Sequence, residues 1–522
     1  MSKRLGSMLG PSVTKWFIDN DEFVGKYLVV CLVVLAQGVL ALSEVPINFL
    51  YKDNYNMSPA EVSFVVGIIA LPWVFKPIYG IMSDSIPICG ERRKSYIMIF
   101  SFLAFVNWML LAFYVREKAV GLVILFNIQF CTAFCNVVGE AMLVEISQLK
   151  SKKFNMNDQE QQAEASQNVS LFFGVKSFGT LATAYLGGFL LEVMDKYYIF
   201  AITGIFPFLL FVSTFYMVDQ QSTEDLTESQ QNRNLSQIQL FFRFLKKPQI
   251  YQPLIFIFLF AATPTSSSSM FFFYTNQLGF EPQFMGSLKF IHAAGTLLAI
   301  FIYNKYLKTV EFSLQFIVST LLCVVLGLSQ ILLVTRLNVQ MGIPDKLFCL
   351  GDSIIIQIVG ELNILPLLVL ACRLCPRTIE ATMYAMIMST LNLGSLVSSQ
   401  LGGVLIYLLG ITEDNFDNLW ILILIANLTS AVPLVGISLI DQKGKKLSDS
   451  DLSSKSNSEI PDNISLPDKE EVKSERSSLV DHDSNTSTDY KNYGALEQNE
   501  PLQHQEMLHI QEQQKKIDAT GI

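Results

Sequence analysis

The chain has 522 residues, 51% hydrophobic and only 16% charged, with a positive mean hydropathy of +0.39. Its apolar residues fall into repeated runs of about 20, the length that crosses a bilayer, and this excludes a soluble globular class. The formal charge of −9 belongs to one end: residues 441–522 hold 17 acids and 10 Lys or Arg, which leaves −2 for residues 1–440. It describes no binding surface, and no nucleic-acid partner is expected.

Residues 1–25 are polar and precede an apolar run long enough to stay in the membrane, so no cleaved signal peptide is expected. The first two runs span about 26–50 and 59–82, the next two about 95–115 and 119–147, and the following pair about 167–191 and 197–218. A polar stretch, 219–247, has no apolar period. Six more runs follow at about 248–275, 284–303, 312–335, 347–371, 378–410 and 418–440. The spacing predicts an all-α polytopic membrane protein with twelve transmembrane helices. Two six-helix halves, 26–218 and 248–440, flank a cytosolic linker, the arrangement of facilitator-type transporters. Residues 441–522 contain no Trp or Phe and are rich in Ser, Asp, Glu and Gln, the composition of a disordered cytosolic tail.

Lys and Arg set the orientation. With a cytosolic N-terminus, twenty of these cations fall on inner segments and six on outer ones, so both termini read as cytosolic. The plasma membrane is the default location and an organelle membrane the alternative. Four of the eight cysteines, Cys31, Cys131, Cys135 and Cys323, lie in apolar runs as small hydrophobes. Cys372 and Cys375 form a lone CxxC without a second pair, so no metal site or cofactor is expected.

An ionisable side chain inside a membrane span costs roughly 2.5–3.5 kcal/mol, so it usually faces a cavity and has a task there. Glu44, Lys76, Glu140, Glu145, Lys176, Lys289, His292, Asp352 and Glu361 are such residues. Lys76, Glu145 and Lys289 have the alternative of snorkelling from helix ends, and His292 that of a packed, hydrogen-bonded core residue. Glu140 and Glu145 are about 140° apart around a helix, and Asp352 and Glu361 about 180°, so neither pair shares a face. Pro46, Pro72, Pro77, Pro207, Pro264 and Pro366 interrupt apolar runs, and the backbone groups they free are tolerated only against protein or a cavity. Gly187-Gly188 and Gly402-Gly403 permit close helix approach.

Between the second and third runs the chain reads LPWVFKPIYGIMSDSIPICGERRK, residues 71–94. Lys76 and Asp84 end one helix, and Arg92, Arg93 and Lys94 open the next. This suits a polar loop that locks by charge pairing, and it resembles the loop between helices two and three of the major facilitator superfamily. The wording KPIYGIMSDSIPICGERRKSY is more narrowly similar to the folate–biopterin transporter family. Further blocks carry the same resemblance: SEVPINFLYKD (43–53), VVGEAMLVE (137–145), AYLGGFLLE, PTSSSSMFFFYTNQLGF (264–280), LGDSIIIQIVGELNILPLLVLACRLCP and MSTLNLGSLVSSQLGG. Together they span about 40–410.

The resemblance implies a twelve-helix facilitator that carries folates, biopterin or related pteridines, coupled to protons. It puts gating on Lys76, Asp84, Arg92 and Arg93. It matches Glu140 and Glu145 to the family's acidic pair and Asp352 to its GDS; with the charges read in the spans, the candidates for substrate binding or coupling are Glu44, Glu140, Lys176, Lys289, His292, Asp352 and Glu361. Glu140 stands where Asp is expected and Lys176 where Arg is expected, and Lys lacks the bidentate fork that Arg offers a carboxylate. A carboxylate, Glu140 or Asp352, suits the amino-pyrimidine edge of a pterin. Lys176 and Lys289 suit the glutamate tail of folate. Phe271, Phe272, Phe273 and Tyr274 offer ring faces for stacking or, alternatively, simple packing. Two other classes stand beside this one: a facilitator for another organic solute, and a non-transporting membrane receptor or scaffold. No Ser/His/Asp set, metal-spaced His/Cys cluster or phosphate loop points to an enzyme.

Overall fold

The computed structural model describes residues 24–91, 93–153, 158–217, 248–307, 310, 312–374 and 380–439. The expected linker, the expected tail, Arg92 and Cys375 lie outside them. Among the described residues the regular elements are helical; the one extended pairing is a bridge between Ile88 and Glu91.

The first span joins α1 (Val24–Val39), α2 (Ala41–Phe49) and a π turn, Leu50–Asn54. Pro46 has no N–H to give the carbonyl of Leu42. Another helix packs closely against this point, where Gly187 has no Cβ: one there would stand 2.5 Å from Leu42 O. The second span opens with Ser58, whose hydroxyl accepts from Glu61 N while the Glu61 carboxylate accepts from Ser58 N. It runs through α3 (Pro59–Ile69), a 3-10 turn (Leu71–Phe75) and α4 (Lys76–Ser85). Then come α5 (Lys94–Phe113), α6 (Lys118–Lys153), α7 (Asp158–Val193) and α8 (Lys196–Thr214).

After the linker, α9 (Pro248–Ala261) stops where the sequence turns to Thr-Pro-Thr-Ser, and α10 (Ser267–Phe272) resumes it into a π turn, Phe273–Gln277. The remaining helices are α11 (Pro282–Ile302), α12 (Phe312–Gly327), α13 (Gln330–Val334), α14 (Leu337–Gln340), α15 (Asp345–Leu374), α16 (Glu380–Leu408) and α17 (Leu419–Thr429).

Ten spans among the described residues are long and apolar enough to cross a membrane. The expected count of twelve needs two more runs, both helical but different in kind. Residues 167–191 lie in α7, whose Lys176, threonines and glycines dilute its apolar character. Residues 248–275 are split between α9 and α10. Leu314, Val318, Leu321 and Val325, each exposed and spaced four, three and four apart, run down one face of α12. In water such a stripe would need a cover, whereas in a bilayer lipid is its solvent.

α7 packs on α1, α2 and α11; α11 also packs on α15, and α3 packs on α16. The apolar core is unevenly joined. Near the turns at 54–59, 114–118 and 193–196, one cluster combines Phe49, Trp108, Leu125 and Phe200 with Phe272, Met285, Ile406 and Leu419. Toward the opposite ends there are two separate clusters, one around Val30, Tyr79 and Phe134, the other around Phe256, Phe316 and Ile387. Helices from before and after the linker therefore share a core at one end of the bundle.

Candidate functional site

Pro77 deprives the carbonyl of Trp73 of its helical donor, and Asn392 of α16 supplies one at 3.1 Å. The local break turns Lys76 inward at the start of α4. Its ammonium is 3.1 Å from Glu140 Oε1 on α6, with the Trp73 ring beside it. Lys76 is buried at 4% exposure while Glu140 keeps 34%, so the carboxylate is the accessible member. Trp73 Nε1 donates to Gln129 Oε1 at 2.9 Å and fixes the ring. Lys176 of α7 lies in electrostatic range of both Lys76 and Glu140, which makes one carboxylate among three charges.

A second group bridges α2 and α11. Lys289 Nζ forms an ion pair with Glu44 Oε1, and His292 lies within the field of both. Lys289 and His292 are three residues apart, so they share a face of α11. A third group joins α11 to α15. Glu361 Oε1 accepts from Thr296 Oγ1 and from Gln357 Nε2, each at 3.1 Å, and Gln357 also donates to Thr296 at 3.0 Å. Asp352 faces elsewhere, accepting from Ser329 Oγ at the start of α13.

The loop charges form a fourth group at the end where the cores are separate. Arg93 pairs with Asp84, donates to Ser83 Oγ at 2.7 Å and reaches Glu145 Oε2 at 3.8 Å. Lys26 of α1 completes it at 2.9 Å from Glu145. Tyr96 donates to Ile86 O at 2.8 Å and holds the turn below.

Several readings change with this geometry. The sequence grouped Lys76 with Asp84, Arg92 and Arg93; the structure separates it from the loop charges and gives it to Glu140. Arg92 lies outside the described residues. Lys289 does not snorkel, because Glu44 holds it. Phe271, Phe272 and Phe273 are buried in the shared core, Phe271 edge-on to Phe49, so they are packing residues and offer no open face. Glu140 and Glu145 point to different partners, and so do Asp352 and Glu361, as helical spacing requires. Sequence reasoning passed over Thr296, Gln357 and Lys26. The i,i+4 spacing of Gln357 and Glu361 in an apolar helix was the available signal.

The profile of the BT1 family matches residues 37–459. The folate-biopterin transporter of Synechocystis sp. is 37% identical over 416 residues, covering 80% of this chain and 81% of its own. Folate transporter 2 of Plasmodium falciparum is 33% identical, with coverage of 76% and 84%. Probable folate-biopterin transporter 4 of Arabidopsis thaliana is 27% identical, with coverage of 80% and 96%. Among solved structures, the nucleoside transporter NupG has a TM-score of 0.60 at 13% identity and covers 80% of this chain and 100% of its own. A D-xylose-proton symporter has a TM-score of 0.54 at 15% identity, with coverage of 78% and 95%. At such identities the likeness is one of fold, the major facilitator type.

Proposed function

The chain belongs to the BT1 family, and from that premise we propose that it is a secondary active transporter of folates, biopterin or related pteridines, coupled to protons. Two halves, 26–218 and 248–440, rock about a midplane site, so that the end with separate cores and the end with the shared core open in turn. Both termini are cytosolic and the plasma membrane is its location. The small-molecule solute and protons are its partners, and no enzymatic step is assigned to it.

The observation that carries this reading is Glu140: a partly exposed carboxylate deep in α6, with Lys76 against it and Lys176 in range. Ionic groups in a span mark solute and proton routes. A proton on Glu140 releases Lys76, and its loss restores the pair, so solute binding and proton binding compete for the same charges. Asp84 and Arg93 close the loop end in one state of the cycle. Glu44 and Lys289 join α2 to α11 across the halves.

The test is uptake of labelled folate and biopterin into liposomes holding the purified protein under a set pH gradient, with other organic solutes as unlabelled competitors. Wild-type protein is expected to accumulate a pteridine. Glu140→Gln, incorporated equally well, is expected to lose gradient-driven accumulation. Absence of pteridine uptake by the wild type sinks the substrate class; normal accumulation by the variant removes Glu140 from coupling.

A further inference from the structure

Three ionic groups in the spans, Lys176, Glu361 and Asp352, have no ion-pair partner among the described residues. Lys176 on α7 makes no ion pair there, and the charges in its range, Lys76 and Glu140, are already joined to each other. Glu361 on α15 has no Lys, Arg or His partner there; its Oε1 accepts from Thr296 and Gln357, and its Oε2 accepts from no described group. Lys289 is paired with Glu44, and Asp352 faces Ser329 at the start of α13, whereas Glu361 faces α11 through Thr296, which leaves Lys176 and Glu361 as the unmatched groups beside α11. The two unmatched residues are partly exposed, and α11 packs against both helices that carry them. A lone charge in a membrane span is costly, so a transporter has reason to keep it where the cargo brings the match.

We propose that Glu361 and Lys176 divide the solute between them, Glu361 Oε2 accepting from the N–H edge of the ring and Lys176 taking the tail carboxylate. The assignment rests on the pteridine reading above and deepens it. An amino-pyrimidinone ring sets a ring N–H beside an exocyclic amino group, and a carboxylate oxygen with unused lone pairs is the complementary acceptor. Thr296 and Gln357 are positioning residues. By donating to Oε1 they orient the carboxylate and leave Oε2 for the ring. Of the other carboxylates suited to this edge, Glu140 is paired with Lys76, and Asp352 faces Ser329 at the start of α13, about 180° around α15 from Glu361. Lys289, the other cation suited to the tail, is committed to Glu44.

Binding to the purified full-length protein, without a gradient, separates the two roles through three probes. Biopterin has the ring and no carboxylate, p-aminobenzoylglutamate has the tail and no ring, and folate has both. Glu361→Gln is expected to weaken biopterin and folate by about 10- to 100-fold and to leave the tail-only probe within about twofold, as loss of a charge-assisted hydrogen bond requires. Lys176→Met is expected to weaken folate and the tail-only probe and to spare biopterin. Equal loss of all three probes in a folded Glu361→Gln variant overturns the proposal. So does undiminished binding of all three by that variant, which is the result if Glu361 handles only a proton. Wild-type protein that binds biopterin and folate alike and ignores the tail-only probe overturns the part given to Lys176. If Glu361→Gln does not fold, Glu361→Asp, which withdraws the carboxylate by one methylene, replaces it with the same expected pattern. A wild-type protein that binds none of the three refutes the pteridine reading itself.

Discussion

Glu44 and Lys289 are 245 residues apart in sequence, and each accounts for the other's presence in an apolar helix. Neutralising one leaves the other alone in a span, whereas exchanging them keeps the pair. Glu44→Gln and Lys289→Met are each expected to lower initial uptake by at least about tenfold, the size of one lost charge-assisted hydrogen bond. The double exchange Glu44→Lys with Lys289→Glu should recover part of it, with uptake normalised to protein in the vesicles. If the double variant falls to the product of the two single losses, the pair has no coupled role. Hydropathy revealed Glu44, Lys289 and the other charges deep in the spans, because a charge stands out in an apolar run, and passed over Lys26 at the start of one. Their partners were not legible, since partnership depends on which helix lies beside which. Lys76 shows the difference: Asp84 is eight positions away in the same helix, yet its partner Glu140 is 64 residues on. The aromatic run at 271–273 stayed open between stacking and packing for a related reason, and the fold decides for packing. Sequence gives the ring type, and only the fold decides whether the face is open.

At the scale of elements, the breaks were readable and their compensation was not. Proline marks where a helix carbonyl goes free, but the answering group, Asn392 for Trp73, sits on a remote helix. The glycine pair at 187–188 likewise signalled a close approach without naming the neighbour. Gly187 faces α2 and Gly188 faces α11. A Cβ at Gly188 would lie 2.3 Å from Pro282 O and 2.7 Å from Gly286 Cα, and backbone atoms cannot step aside as a flexible side chain does. Gly188→Ala is therefore expected to force α7 from α11 at a cost of about 1–3 kcal/mol, the usual range for overpacking. The melting temperature in detergent should fall and uptake should be lost. At Gly351 an added Cβ meets nothing within 4 Å, so Gly351→Ala should leave both unchanged. Equal melting temperatures for the two variants would remove the α7–α11 contact as a tight crossing.

At the scale of the whole molecule, most boundaries of the apolar runs fall close to the observed helix ends, because bilayer thickness fixes their length; α6 and α7, 36 residues each, run on past the apolar stretch into polar sequence. What the runs do not disclose is the state of the bundle, with its core continuous at one end and divided at the other. That asymmetry depends on contacts between helices far apart in sequence, such as Phe49 with Phe271. Lys176 and Glu361, without ion-pair partners among the described residues, bear on how this bundle reverses. To pass between its two orientations the empty carrier must seal both groups away from water, whereas the occupied carrier seals them already neutralised. The unladen return is then the slow leg of the cycle, and the protein works faster as an exchanger than as a one-way pump. Vesicles loaded beforehand with unlabelled folate should take up labelled folate several times faster than empty ones, by a factor of about ten for each 1.4 kcal/mol that the cargo removes from the barrier. Identical rates from loaded and empty vesicles would mean that the bare charges find another way to be screened during the return.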